Sequence, residues 1–254
     1  MSKLKGKVAL VTGASRGIGR AIAQRLAQDG ALVAVHYGKN REAAEETIRL
    51  IKQSGGSAFM IEADLSCTSG VHIIFEALEA ALQERAEDSR LDILVNNAGG
   101  ALMKTIEQTT EQAFDELAAV NVKAPFFLIQ QALPRLRDGG SIINLSSAVT
   151  RIAIPDIPAY SMTKGAINTL TLTLAKLLGP RGITVNAVMP GFIETDMQAD
   201  VLQNPEARKF GADFSIFGRW GQTQDVADIV AFLASSDSRW VTGQLIDASG
   251  GSHL

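Results

Sequence analysis

Seven short runs of aliphatic and β-branched residues, separated by longer stretches with a helical period, leave few folds open to this chain. The first run, K-V-A-L-V-T (residues 7–12), leads through a glycine-rich turn into Gly19 to Asp29, where Ile22, Leu26 and the alanines recur at helical spacing. Gly30 closes that helix. A-L-V-A-V-H (31–36), the amphipathic stretch Arg41 to Gln53 and S-A-F-M-I-E (57–62) extend the pattern to β-α-β-α-β. Strands joined by helical crossovers pair in parallel.

The alternation continues through a helix near Gly70 to Ala86, a strand at 91–95, a long helix from about Thr110 to Arg137 and a strand at 141–146. A helix from Pro158 to Leu178, a strand at 183–188, an irregular stretch from Met189 to about Gly221, a helix through Val226 to Ala234 and a strand near Gln244 to Asp247 complete it. The predicted fold is α/β: a doubly wound, parallel, seven-stranded sheet with helices on both faces, a Rossmann fold. At 254 residues, with no internal repeat and no Pro-, Gly- or Ser-rich linker, it reads as one domain over residues 1–254. Residues 191–221 form an expected substrate lid within it.

A formal charge of -3 sets aside a strongly basic nucleic-acid binder. The apolar run after Lys3, Lys5 and Lys7 is too short for a signal h-region, and no segment nears the roughly 20 apolar residues of a membrane span. Cys67 stands alone, and His36, His72 and His253 lack metal-ligand spacing, so no metal is expected and the histidines read as structural or exposed. A cytoplasmic protein without nucleic-acid or membrane partners is the expectation.

The turn T-G-A-S-R-G-I-G, with Gly13, Ser15, Arg16, Gly17, Ile18 and Gly19, lies between the first strand and first helix. Glycines there let a diphosphate approach the backbone, and the first helical amides point N–H groups and a partial positive charge at it. The spacing is G-x-x-x-G-x-G, which differs from the general dinucleotide fingerprint, and a plain tight connection is the competing reading. Folds that prefer NAD place a carboxylate at the end of the second strand. Here that strand ends His36, Tyr37, Gly38, Lys39, Asn40, Arg41. Arg16 with Lys39 or Arg41 suits a 2'-phosphate, so NADP (NADPH) is predicted over NAD; a solvated helix start is the alternative for the last two.

Tyr160 and Lys164 stand at i and i+4, on one face of the predicted helix. The glycine turn, N-N-A-G (96–99), Ser146-Ser147 and Pro190-Gly191 all fall at carboxyl ends of strands, where open parallel sheets bind ligands. Use of a tyrosine as acid or base near neutrality asks for a shift of about 3 units, about 4 kcal/mol, and a nearby ammonium acts in that direction. Taken singly, such a Tyr and Lys are an ordinary surface pair; it is their company that points to chemistry.

These segments, with Asp64-Leu65, Asn121 in V-N-V, Y-S-M-T-K (160–164) and P-G-F-I-E-T-D (190–196), resemble the short-chain dehydrogenase/reductase family from Val8 to Gly251. The resemblance implies a catalytic tetrad of Asn121, Ser147, Tyr160 and Lys164, with Asn121 holding a water that links Lys164 to solvent. It also implies that Asp64 and Leu65 border the adenine, that Asn97 and Ala98, followed by Gly99, border the ribose, and that Ile193 and Thr195 hold the nicotinamide carboxamide. The implied activity is NADPH-dependent reduction of a ketone to a secondary alcohol.

Within the family, residues 182–197 look most like the 3-oxoacyl-acyl-carrier-protein reductases, which suggests an acyl thioester substrate and an acyl carrier protein as partner. Arg135, Arg137 and Arg181 are the candidate docking patch. A broader carbonyl, sugar or alcohol dehydrogenase is the alternative, and a dinucleotide-binding sensor the alternative of another class, against which the Tyr-Lys pair argues. The family resemblance implies a homotetramer. Apolar groups at 191–221, among them Phe192, Val201, Phe210, Phe214, Phe217 and Trp220, either line an aliphatic or aryl ketone pocket or pack the lid onto the body.

Overall fold

A computed structural model describes residues 2–85, 90–198 and 202–252. Ala86, at the expected end of the third helix, and Val201 and His253 lie outside the described residues. Seven parallel strands run β1 (Val8–Val11), β2 (Leu32–Tyr37), β3 (Ser57–Glu62), β4 (Leu91–Asn96), β5 (Leu136–Leu145), β6 (Thr184–Pro190) and β7 (Leu245–Ala248), in the order β3-β2-β1-β4-β5-β6-β7. The order reverses between β1 and β4, so the crevice at their carboxyl ends is the switch point of the sheet.

Both faces of the sheet are covered, which is why the central strands β1, β2 and β4 are mostly apolar in continuous runs rather than at alternate positions. Val33, Val35, Ile93 and Val95 face one side, against α1 (Gly17–Gln28) and a C-terminal helix, Thr223–Ala234. Leu10, Ala34, Leu94 and Ile142 face the other, against α3 (Thr68–Gln83) and later helices. The helix α2 (Arg41–Gln53) begins at Asn40, whose side chain accepts from Ala43 N–H.

The long helix expected from Thr110 to Arg137 is two helices: α4 (Glu111–Ala118) and α5 (Ala124–Ala132), joined by a π turn at Ala119–Lys123. It stops early because Pro134 has no N–H to continue the ladder and its ring crowds the preceding turn. β5 therefore starts at Leu136, opposite Leu91, before a bulge through Gly139 (φ 76°) resumes pairing at Ser141, the expected strand start. The catalytic-end helix is α6 (Pro158–Leu178). The expected irregular stretch contains the end of β6, a short turn at Asp196–Gln198 and α7 (Pro205–Asp213) before α8 (Thr223–Ala234). No described helix is long and apolar enough to cross a membrane.

Candidate active site

The glycine turn is held from three sides. Gly13 and Gly17 take positive φ (62° and 55°), which L side chains rarely adopt. Asn97 Nδ2 donates to Thr12 O (2.8 Å) and Gly13 O (3.0 Å), while Thr12 Oγ1 accepts from the N–H groups of Asn97 and Ala98. Arg16, at the N-cap of α1, has extended backbone and makes no side-chain cap bond, and no acidic residue lies in the first turn. The first N–H groups of α1 are thus left for an external anion, and Arg16 is exposed beside them.

His36, read from sequence only as structural or exposed, is the missed member of this cluster. It is buried, accepts from Gly13 N–H at Nδ1 (3.1 Å) and reaches Ala63 O through Nε2 (3.1 Å), so the neutral tautomer with the proton on Nε2 satisfies both. Its signal in the sequence was a polar residue near the carboxyl end of a strand buried on both faces. Burial lowers its pKa to about 4, opposed by the hydrogen bond to Ala63 O. The unfolded chain takes up this proton near 6.5, so stability present above pH 6.5 is lost as pH falls toward 4, by about 3 kcal/mol in all. Urea titrations across that interval are expected to show the loss in wild type and most of it absent in His36→Gln; parallel curves would refute the assignment.

At the adenosine side, Tyr37 ends β2 and its hydroxyl donates to Glu62 (2.7 Å) on β3. Arg41 pairs with Glu45 (2.9 Å), whereas Lys39 is exposed and its charge helps hold Asp64 below the usual carboxylate range, behind the larger effect of hydrogen bonds from Ser66. Both cations after the strand are exposed. Leu65 is buried in the core beneath this edge.

On the other side of the crevice, Gly191 follows Pro190 at the end of β6, so close to Ser249 that a Cβ would lie 2.9 Å from its Cα. Ile193 is buried and bridges to Gly221. Thr195 comes back to the glycine turn, its Cγ2 3.6 Å from where a Cβ on Gly17 would stand. The glycine turn and the 193–195 segment therefore meet at the carboxyl end of the sheet.

Tyr160 and Lys164 lie in the first two turns of α6. Lys164 is buried, and Nζ donates to Leu145 O (2.8 Å) and stands 5.7 Å from the Tyr160 ring centroid. A Cβ on Gly99 would lie 3.6 Å from this Nζ and 3.2 Å from Asn121 Oδ1, so the N-N-A-G loop meets α6 here. Burial lowers the Lys164 pKa to about 8, which leaves the ammonium charged at neutral pH. Ser147 caps the turn after β5, where its hydroxyl accepts from Val149 N–H (3.4 Å), and it neighbours Tyr160.

Tyr160 departs from the expected direction. Burial pushes its pKa up, and the neighbouring Ser147 hydroxyl opposes this. In the chain alone the phenol stays protonated across the physiological range, as a free tyrosine does.

Asn121 reaches the site through the π turn, a rare geometry that recurs at functional positions. Its Oδ1 accepts from Gly100 N–H (2.9 Å), and its Nδ2 donates to Gly100 O (2.9 Å) and Thr163 Oγ1 (3.1 Å). Both amide hydrogens are thus used in tying the loop after β4 to α6.

Arg135, Arg137 and Arg181 cluster at the amino end of β5, opposite the crevice. Arg135 pairs with Glu79 (2.5 Å), Arg181 with Asp138 (2.7 Å), and Arg137 lies 3.6 Å from Asp92. All three lie near acidic partners within the chain, at the end of the sheet away from the crevice. In the 191–221 segment, Phe192, Phe210, Phe214 and Trp220 stack on one another with ring centroids 4.8–6.3 Å apart. Ile216 and Phe217 remain 65% and 70% exposed, and Met162, on α6 two residues from Tyr160, is 64% exposed. Part of the segment packs on itself, and part leaves apolar surface at the catalytic end.

A family model described as enoyl-(acyl carrier protein) reductase matches residues 13–253. The chain superposes on LugOII, a promiscuous reductase that catalyses keto-reduction at C1 during lugdunomycin biosynthesis, with a TM-score of 0.96 and 52% identity, over 99% of this chain and 100% of that one. It superposes on the angucycline C-6 ketoreductase LanV, solved with bound NADP, with a TM-score of 0.95 and 50% identity, over 98% and 96%. It is 40% identical over 250 residues to the 3-oxoacyl-[acyl-carrier-protein] reductase FabG of Staphylococcus aureus, covering 98% of each chain.

Proposed function

The chain belongs to the short-chain dehydrogenase/reductase family, and from that premise we propose that it is an NADPH-dependent ketoreductase in which Tyr160 protonates the ketone oxygen. The observation that carries it is the pair itself: Lys164 Nζ, bonded to Leu145 O, stands 5.7 Å from the Tyr160 ring, with Ser147 in the turn after β5. A non-catalytic sensor has no use for such a pair.

The uncapped start of α1 fits a diphosphate, and Arg16 with Lys39 fits a 2'-phosphate. Asp64 and Leu65 would border the adenine, Asn97 to Gly99 the ribose, and Ile193 and Thr195 the carboxamide. NADPH bound there supplies the hydride to the carbonyl carbon. Tyr160 gives its hydroxyl proton to the oxygen as the C=O electron pair moves onto it, and Ser147 donates a second hydrogen bond to that oxygen. Lys164, charged at pH 7, stabilises the phenolate that remains. Asn121 keeps the loop after β4 pressed against Lys164.

For the substrate we favour a bulky, largely apolar cyclic ketone, with residues 191–221 as its lid. Exposed Ile216, Phe217 and Met162 support this, as does the 50–52% identity to an angucycline C-6 ketoreductase and to a keto-reducing enzyme of lugdunomycin biosynthesis. An acyl thioester is the second reading, resting on the likeness to the acyl-carrier-protein reductase. We further propose a homotetramer through exposed apolar residues of α5 and α6, Phe126, Leu172 and Leu177, in the cytoplasm, where the exposed thiol of Cys67 stays reduced.

Turnover of 1-tetralone and of acetoacetyl-coenzyme A, each with NADPH and NADH, tests the proposal. The expected result is efficient reduction of 1-tetralone, with a KM for NADPH at least about tenfold below that for NADH because the 2'-phosphate gains charge-assisted hydrogen bonds. Preference for the thioester would select the second reading, and preference for NADH would reject the roles of Arg16 and Lys39.

A further inference from the structure

The helix α6 carries both Tyr160 and Lys164 and packs on the sheet through Ile167, Leu170, Leu174, Ala175 and Leu178. Its buried face also holds three polar side chains, Thr163, Lys164 and Thr171. Burial of apolar area has no direction, so it is the polar groups on that face that can fix where along the sheet the helix sits.

Such bonds exist below the site. Asn96 of β4 and Asn144 of β5 are opposite one another in register, and Asn96 Nδ2 donates to Asn144 Oδ1 (2.8 Å). Asn144 Nδ2 donates to Thr171 Oγ1 (2.9 Å), and Thr171 Oγ1 donates to Ile167 O (2.8 Å). Asn144 and Thr171 are fully buried. The chain of donors runs one way, from the strand that leads into N-N-A-G to the turn of α6 that follows Lys164.

We propose that Asn144 and Thr171 are positioning residues that lock α6 against the ends of β4 and β5 and so hold Lys164 and Tyr160 at their working places. Neither touches the reacting atoms. Lys164 also reaches Leu145 O, the carbonyl of the residue after Asn144, so the polar chain and the ammonium grip neighbouring points of one strand. Asn96 Oδ1 is buried without a protein partner among the described residues. Apolar groups in these places would serve packing alone at least as well, so the polar chain is better accounted for by the position it enforces.

This deepens the ketoreductase reading and rests on it for its kinetic test. Thr171→Val removes the hydroxyl with little change of shape, and Thr171→Ser restores it. With 1-tetralone and NADPH, Thr171→Val is expected to lower kcat about tenfold with KM changed less than about twofold, and Thr171→Ser to recover most of the loss. In the protein without cofactor, 13C NMR of the Lys164 ε-carbon is expected to titrate near 8 in wild type and Thr171→Ser. In Thr171→Val it is expected at least about half a unit higher, because a loosened helix admits water to a group whose pKa burial has lowered. Unchanged kcat and titration in Thr171→Val would overturn the proposal, as would equal losses in both variants with an unmoved titration. The NMR measurement needs no substrate, so it judges the positioning separately from the ketoreductase reading.

Discussion

Tyr160→Phe is expected to lower kcat for ketone reduction by about a thousandfold, within the range of roughly 10²–10⁴ that a positioned acid contributes. Only the hydroxyl is lost, so the ring keeps its place 5.7 Å from Lys164 Nζ, and the Lys164 bond to Leu145 O does not involve it. At most one hydrogen bond is lost with the hydroxyl, about 1 kcal/mol, or a shift of roughly 2–4 °C in Tm for a chain of this length. NADPH affinity, read by fluorescence titration, should stay within about twofold. NADPH oxidation at more than a tenth of the wild-type rate would move the acid role to another group, with Ser147 the nearest hydroxyl.

Much of this site was legible because the parallel α/β fold ties position in the chain to position in space. Once the strands are found, T-G-A-S-R-G-I-G, N-N-A-G, Ser147 and Pro190-Gly191 must all lie at one edge of the sheet, and Tyr160 and Lys164 share a helical face. The same rule, carried through, places Arg135 and Arg137 at the opposite edge, since they precede the main pairing of β5 rather than follow it. The π turn at Asn121 was legible in part: Pro125, four residues on, has no N–H for Asn121 O and its ring crowds that carbonyl, so the α ladder breaks there. The bonds that hold the distortion run to Gly100 and Thr163, 21 and 42 residues away, and were out of reach. Protonation states were equally out of reach. The high pKa of Tyr160, the value of about 8 for Lys164 and that of about 4 for His36 are set by burial, which exists only after folding.

Gly19→Ala is expected to do the greatest damage of any single methyl addition in the glycine turn, at about 3 kcal/mol of stability and at least about a hundredfold in NADPH affinity. The reason is space rather than backbone conformation, because Gly19 is not among the positive-φ glycines. A Cβ there would fall 2.3 Å from Gly13 O and 2.4 Å from Asn97 Nδ2. Neither can give way, since Gly13 O is bonded to Asn97 and Gly13 N–H to His36, and Asn97 is bonded in turn to Thr12. The methyl would therefore push the whole cluster off the start of α1 and misdirect the N–H groups that receive the diphosphate. Gly17→Ala provides the contrast: its φ of 55° costs about 1–2 kcal/mol, but its nearest contact is an ordinary 3.6 Å to Thr195. Thermal melts should rank Gly19→Ala well below Gly17→Ala, by several degrees. The reverse order would mean that the turn is governed by local conformation and not by the interlocked bonds among Thr12, Gly13, His36 and Asn97.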